Sequence, residues 1–259
     1  MAEPDDLVPT PDETLDDLSL ERRVLQRRKG HRSGTDDVLA AYSAWLAGPS
    51  ARTLLDLGCG HGSVSLYLTS VLPRLRGVAV EAQAVSASLA RRNMRLNGVD
   101  KRITVLERDL RTLDDAVLTE AFGACRFDLI TGTPPFMPVG SGPIAKDPQR
   151  AAARFELRGG IEAYCAAAAR FLAPEGSVSM LMDASQDERC RRAFADAGIA
   201  LQRRIVVTPR VGKAPRYIGY IGGAAGVFDH DLPVTIRTAS GEFAHGYRAI
   251  RRALKIDRK

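Results

Sequence analysis

The stretch Leu54-Leu55-Asp56-Leu57-Gly58-Cys59-Gly60-His61-Gly62 decides how the chain is read. A short apolar run has the length of a buried strand and ends in three alternate glycines. SVSLYLTSVL (63–72) follows with helical apolar spacing. Glycine lets a backbone pass close to a ligand without a Cβ in the way. In open α/β sheets the crevice beyond the carboxyl ends of the strands is where ligands bind. No GK[ST] follows, so the loop is not a P-loop, and G-C-G-H-G differs from the dinucleotide spacing GxGxxG.

Outward from this turn, strand-like and helix-like segments alternate. RGVAVEA (76–82), ITVLERD (103–109), FDLITGTPPF (127–136) and GSVSMLM (176–182) read as strands. Residues 84–98 and 151–173 read as helices. Such alternation predicts a parallel sheet covered on both faces. RIVVTPR (204–210), RYIGYIGG (216–223) and LPVTIRT (232–238) follow at short spacing and predict antiparallel strands finishing the sheet.

The 259 residues carry a net charge of +6, unevenly spread. Residues 1–20 hold seven acids and no base, so the remainder carries +13. The first 19 residues, with Pro4, Pro9 and Pro11 among the acids, read as a disordered leader, and 20–259 as one domain. The basic body suits an anionic partner, nucleic acid first among them, and equally a solvated arginine-rich surface. No apolar run reaches the ~18–20 residues of a membrane span. No apolar signal core opens the chain, and the four cysteines form no CxxC pair, so a cytoplasmic setting and no metal are expected.

Two further acids stand at strand ends. Glu81 follows GVAV, where a carboxylate can accept from both hydroxyls of a ribose, and Asp109 follows ITVLER. After the fourth strand comes Thr133-Pro134-Pro135-Phe136. Consecutive prolines stiffen the turn and remove donors while leaving carbonyl acceptors, and the aromatic ring can stack on a planar substrate.

Asp56-x-Gly58-x-Gly60-x-Gly62 resembles motif I of class I methyltransferases, and Thr133–Phe136 resembles the [N/D/S]-PP-[Y/F] signature of amino-methyltransferases, with Thr in place of the usual Asn. QRRKGHRSGTDDVL (26–39) is similar to the segment preceding motif I in bacterial tRNA(Val) adenine-N6 methyltransferases. AARFELRGGIEAYCAAAARFLAPEGSVSML, VVTPRVGKAPRYI and TIRTASGEFAHGYRAI resemble later blocks of that family, so the similarity covers most of residues 22–254.

The resemblance implies a Rossmann-like fold with a mostly parallel seven-stranded sheet and an antiparallel C-terminal hairpin, and S-adenosylmethionine as cofactor. It implies that Lys29, Gly30, Arg32 and Asp36 help close over the cofactor. Asp56, Gly58 and Gly60 would hold its amino-acid half, Glu81 with Ala82 its ribose, and Asp109 with Leu110 its adenine, Thr133 being shared with the catalytic turn. Thr133, Pro134, Pro135 and Phe136 would orient and stack the methyl acceptor, an adenine amine in tRNA. The alternative acceptor is a small molecule or a protein amide, which Thr133 favours. Basic residues at 22–32, at 203–216 (Arg203, Arg204, Arg210, Lys213, Arg216) and from Arg248 to Lys259 are expected to form a phosphate-tracking rim if they share the face around Phe136.

Overall fold

A computed structural model describes residues 4–258. Ten strands and eight α-helices are named here in chain order. The half of the sheet that carries the glycine turn is built from β3 (Thr53–Leu57), α2 (Ser63–Val71), β4 (Arg76–Glu81), α3 (Ala84–Leu96), β5 (Ile103–Glu107), α4 (Asp115–Phe122) and β6 (Phe127–Gly132). It is preceded by β1 (Glu13–Asp17), β2 (Arg23–Arg27) and α1 (Thr35–Ala47). It is followed by α5 (Pro148–Arg154), α6 (Ile161–Phe171), β7 (Leu172–Asp183), α7 (Asp187–Asp196), β8 (Ala200–Arg210), β9 (Tyr217–Gly223), β10 (His230–Arg237) and α8 (His245–Ala253).

The main sheet has the order β10-β8-β9-β7-β6-β3-β4-β5. Only β9 runs against its neighbours. Strand β3 shows why the sheet is two-sided. Successive side chains point to opposite faces, so Leu54 joins the core under α1 and α2 while Leu55 and Leu57 join the core under α6 and α7. All three are fully buried, and truncating any of them to alanine costs about 2–5 kcal/mol.

The expected class holds, with three corrections. The sheet has eight strands rather than seven, and β10 pairs parallel to β8, not antiparallel. Both edges of β9 are taken, by β7 and β8, so the last strand crosses to the free edge of β8. The single helix expected over 151–173 is two, α5 and α6. Gly159 takes φ +93° between them, a conformation no right-handed helix contains.

The third correction concerns the leader expected over 1–19. Residues 1–3 lie outside the described residues. From Pro4 onward the chain is folded: β1 pairs antiparallel with β2, from Glu13↔Arg27 to Asp17↔Arg23. Asp6, Asp12, Glu13 and Asp16 are paired with cations distant in sequence. Arg92 Nη1 donates to Glu13 Oε1 at 2.6 Å with both side chains nearly buried, and Arg92 also pairs with Asp6. Arg32 donates to Asp16 and to Thr14. Asn93, fully buried on α3, pairs with the backbone of Leu25 in both directions, and so holds β2 against the domain. No helix among the described residues is long and apolar enough to cross a membrane.

Candidate active site

Three chain crossings converge at the carboxyl ends of the parallel strands. After β3 the backbone turns through Gly58, Gly60 and Gly62 at φ +66°, +57° and +91° and enters α2. All three values are left-handed, which explains the alternate glycines of the sequence. At Gly58 the hydroxyl of Tyr164 occupies the place of a Cβ, whereas a Cβ on Gly60 would meet nothing within 4 Å. The Gly60 backbone therefore faces open space. Asn93 Nδ2 donates to the carbonyl of His61 at 2.8 Å and fixes the turn from behind.

That open space is a cleft of about 1180 Å³. Every residue that the resemblance assigned to the cofactor or the double-proline turn lines it: Lys29, Gly30, Arg32, Asp36, Asp56, Gly58, Gly60, Glu81, Ala82, Asp109, Leu110, Thr133, Pro134, Pro135 and Phe136. Their states differ. The Glu81 carboxylate accepts the backbone N–H of Gly60 at 2.9 Å and of Gln83 at 2.7 Å. Burial raises its pKa, partly offset by those two bonds. Asp56 is 2% exposed and accepts the Ser65 hydroxyl at 2.6 Å. Burial, offset by Ser65 and reinforced by Asp37 and Glu81, pushes it up to about 7. Burial and the charge of Asp37 push Asp36 up to about 6. The inner wall thus gathers carboxylates at a cost in self-repulsion that a bound cation relieves.

Asp109 is differently placed. It caps the 3-10 turn Leu110–Thr112 through the Arg111 N–H, and its carboxylate is gripped by the Arg111 side chain at 2.7 Å, which holds its pKa down. Arg32 lines the cleft, yet its guanidinium is spent on β1. Gly30 packs against the buried Gln149, whose Oε1 accepts the N–H of His31 at 3.3 Å. The 29–32 segment is thereby joined to α5.

At the double-proline turn, Phe136 lies against Tyr217, ring centroids 5.7 Å apart and tilted by 47°. Gln186 Nε2 donates to the Phe136 carbonyl at 2.5 Å. Met137 bridges to Phe155, just past α5, its N–H donating to the carbonyl of Arg154, the last residue of that helix, at 2.9 Å. The turn is held on both sides, and Phe136 and Tyr217 both line the cleft.

Sequence reasoning passed over several residues here. Asp37 accepts from the Gly34 N–H and the Ser63 hydroxyl, tying α1 to the glycine turn. Its place one residue after Asp36 in a helix N-terminus was the only available signal. His61 is buried, both ring nitrogens lack a partner among the described residues, and burial lowers its pKa to about 4, so it is neutral. Tyr164, Gln149, Tyr217 and Gln186 come from distant segments with no local motif.

The expected basic rim divides. Arg28, Lys29 and Arg216 line the cleft, as do Arg108, Arg150, Arg154 and Arg158. Arg22, Arg27, Arg203 and Arg204 are instead used internally: Arg22 on Ser70 and Asn97, Arg27 on Asp147, Arg203 on Asp229, Arg204 on Asp187 and Asp231.

Comparison with known proteins fits this geometry. Residues 35–195 match the family model described as methyltransferase small domain. A tRNA1(Val) (adenine(37)-N6)-methyltransferase from Aeromonas hydrophila is 30% identical over 218 residues, 83% of this chain and 86% of that protein. One of the same name from Shewanella amazonensis is 31% identical over 182 residues, 70% of this chain and 73% of that protein. Among solved structures, a predicted O-methyltransferase from Agrobacterium tumefaciens superposes with a TM-score of 0.62 at 17% identity, covering 86% of this chain and 99% of that one. A T. thermophilus 16S rRNA N2 methyltransferase in complex with AdoMet and guanosine gives 0.55 at 20% identity, covering 82% and 50%. These two likenesses speak to the fold.

Proposed function

Because the chain belongs to the methyltransferase small domain family and is an S-adenosylmethionine-dependent methyltransferase, we propose that it methylates the exocyclic N6 amine of an adenine in tRNA. The observation that carries this reading is the joining, in one cleft, of the acid-lined glycine turn to the Thr133–Phe136 corner with its Tyr217-backed ring.

The cleft fits the cofactor. The Gly60 backbone borders open space that a side chain would fill, and buried Asp56 and Glu81 with half-buried Asp36 provide the negative surroundings a sulfonium cation favours. Asp56 and the Gly58–Gly60 backbone would take the amino-acid half, Glu81 with Ala82 the ribose, and Asp109 with Leu110 the adenine. Lys29, Gly30, Arg32 and Asp36 would cover it. When bound, the cofactor supplies an electrophilic methyl group on a positively charged sulfur.

The chain's own contribution is positioning. The lone pair of an aryl amine is delocalised into its ring. Accepting both N–H hydrogens, one at the Thr133 hydroxyl and one at the Pro134 carbonyl, would pyramidalise the nitrogen and localise its lone pair toward the methyl group, and one of those two hydrogens would leave to solvent as the N–C bond forms. Phe136 stacks the base, as expected for a nucleotide splayed from a single-stranded loop. Thr is shorter than the Asn found in relatives of this motif, so the amine must approach the turn more closely. The setting we assign is the cytoplasm, where tRNA is met and free thiols such as Cys59 persist.

The test is incubation with methyl-labelled S-adenosylmethionine and unmodified tRNA, total protein or small metabolites in parallel, followed by nuclease digestion. Label in N6-methyladenosine is expected. Label confined to protein amides or small metabolites would replace this reading with the alternative acceptor.

A further inference from the structure

Strands β8 and β10 extend the end of the sheet that carries the cleft, and beyond Arg216 the cations along this edge lie outside the cleft. The register Arg237↔Arg210 brings the carboxyl ends of β10 and β8 level. Asp183↔Tyr217 and Val207↔Tyr217 put the end of β7 and the start of β9 at the same side. With strands about 4.8 Å apart, β8 and β10 continue this edge roughly 10 Å beyond β9.

The basic residues along it are contiguous. Tyr217 backs Phe136, and the Arg216 guanidinium lies 5.6 Å from the centre of the Tyr217 ring. Lys213 follows in the β8–β9 turn, its N–H donating to the Arg210 carbonyl. The Arg210 guanidinium lies beside Gly241, 3.0 Å from where that residue's Cβ would be. Arg237 donates to the Gly241 carbonyl at 2.7 Å and covers the Phe243 ring at 4.6 Å. Arg248 donates to the Phe243 carbonyl at 2.7 Å. All five cations are exposed.

Neutralisation is sparse here, in contrast to the rest of β8. Arg203 and Arg204 are paired with Asp229, Asp187 and Asp231. Among the described residues, Arg210, Lys213, Arg237 and Arg248 form no ion pair, and Arg216 reaches only Asp183 at 3.6 Å. Segments 210–216 and 237–248 contain a single acid, Glu242.

We infer that this ledge, from Arg216 through Lys213 and Arg210 to Arg237 and Arg248, is a docking track for the RNA phosphate backbone flanking the nucleotide held at Phe136. The inference rests on the RNA reading above and adds where, outside the cleft, the RNA is gripped. Exposed unpaired cations in a row match a polyanion, and phosphate contacts fix register without reading sequence. The Arg237–Phe243 stack also presents a cation already oriented by an aromatic face.

The experiment measures binding of an unmodified tRNA transcript across a salt series for the wild type, R210E/K213E and R203E. Arg210 and Lys213 make no side-chain hydrogen bond to the fold among the described residues, and R203E is a charge reversal on the same strand away from the ledge. R210E/K213E is expected to bind at least about tenfold more weakly and to lower the salt slope by about 1.5. R203E should keep the wild-type slope, and S-adenosylmethionine affinity by calorimetry should stay unchanged in R210E/K213E. Wild-type affinity and slope in R210E/K213E overturn the ledge while leaving the RNA reading intact, and so does an equal fall in R203E. A wild type that binds no RNA and methylates another acceptor overturns both.

Discussion

The Glu81 carboxylate, at the end of β4, accepts the backbone N–H of Gly60, in the turn after β3, at 2.9 Å. One buried acid thus ties together two strand ends and keeps its remaining lone pairs at the cleft wall. Glu81→Ala removes a charged acceptor and releases the Gly60 N–H. Charge-assisted bonds contribute about 1.5–3 kcal/mol, so S-adenosylmethionine affinity should fall about 10- to 100-fold in calorimetry. Unchanged affinity would place the ribose elsewhere.

The cluster of raised acids predicts opposite pH trends for the empty and loaded protein. Asp36 and Asp56 sit near 6 and 7 when folded, against 3.8 for a free carboxyl. Their contribution to stability is complete below about pH 4 and declines as pH rises through 6 and 7, because folding then requires ionised carboxylates in a buried wall. A cation reverses the preference. The ratio of S-adenosylmethionine to S-adenosylhomocysteine affinity should therefore rise from pH 5.5 to 8, since only the former carries the sulfonium. In thermal melts at pH 8, Asp56→Asn should stabilise the empty protein and abolish the shift produced by cofactor. A pH-independent affinity ratio would contradict the electrostatic role.

Phe136→Ala separates acceptor from cofactor. Base–aromatic stacking contributes about 1–3 kcal/mol, so kcat/KM for RNA should fall roughly 10- to 100-fold while cofactor affinity is kept. Phe136→Tyr should restore most of the rate. Equal activity in the alanine variant would remove the stacking role.

The N-terminal hairpin carries a stability prediction. Glu13→Ala leaves Arg92 in a buried site with only the Asp6 and Val8 carbonyls and the half-exposed Asp6 carboxylate as acceptors. Breaking a buried ion pair typically costs about 3–5 kcal/mol, and the remaining acceptors bring the expected loss toward 3. The melting temperature should drop by about 6–12 °C. A melt indistinguishable from wild type would contradict a stabilising role for the Arg92–Glu13 pair.

Much of the site was legible because its residues sit at strand ends that apolar runs announce. Asp56, Glu81, Asp109 and Thr133 each follow such a run, and parallel pairing brings those ends together. What stayed hidden depends on distant partners. The seven acids of the first 20 residues read as unfolded because the cations that pair with Asp6, Glu13 and Asp16, namely Arg92, Arg95 and Arg32, lie elsewhere in sequence. The helix expected across 151–173 breaks because Gly159 and Gly160 lie inside an otherwise helical pattern, where glycine is tolerated often enough to be missed. The direction of β10 follows from both sides of β9 being filled, a fact of assembly that no local pattern carries.

The most direct measurement is a crystal structure with sinefungin, a charged S-adenosylmethionine analogue. The account predicts its ribose hydroxyls on Glu81, its amino-acid end at Gly58–Gly60 and its amine directed at the Thr133–Phe136 corner. A ligand seated away from Glu81, or with that corner walled off from the amine, would contradict it.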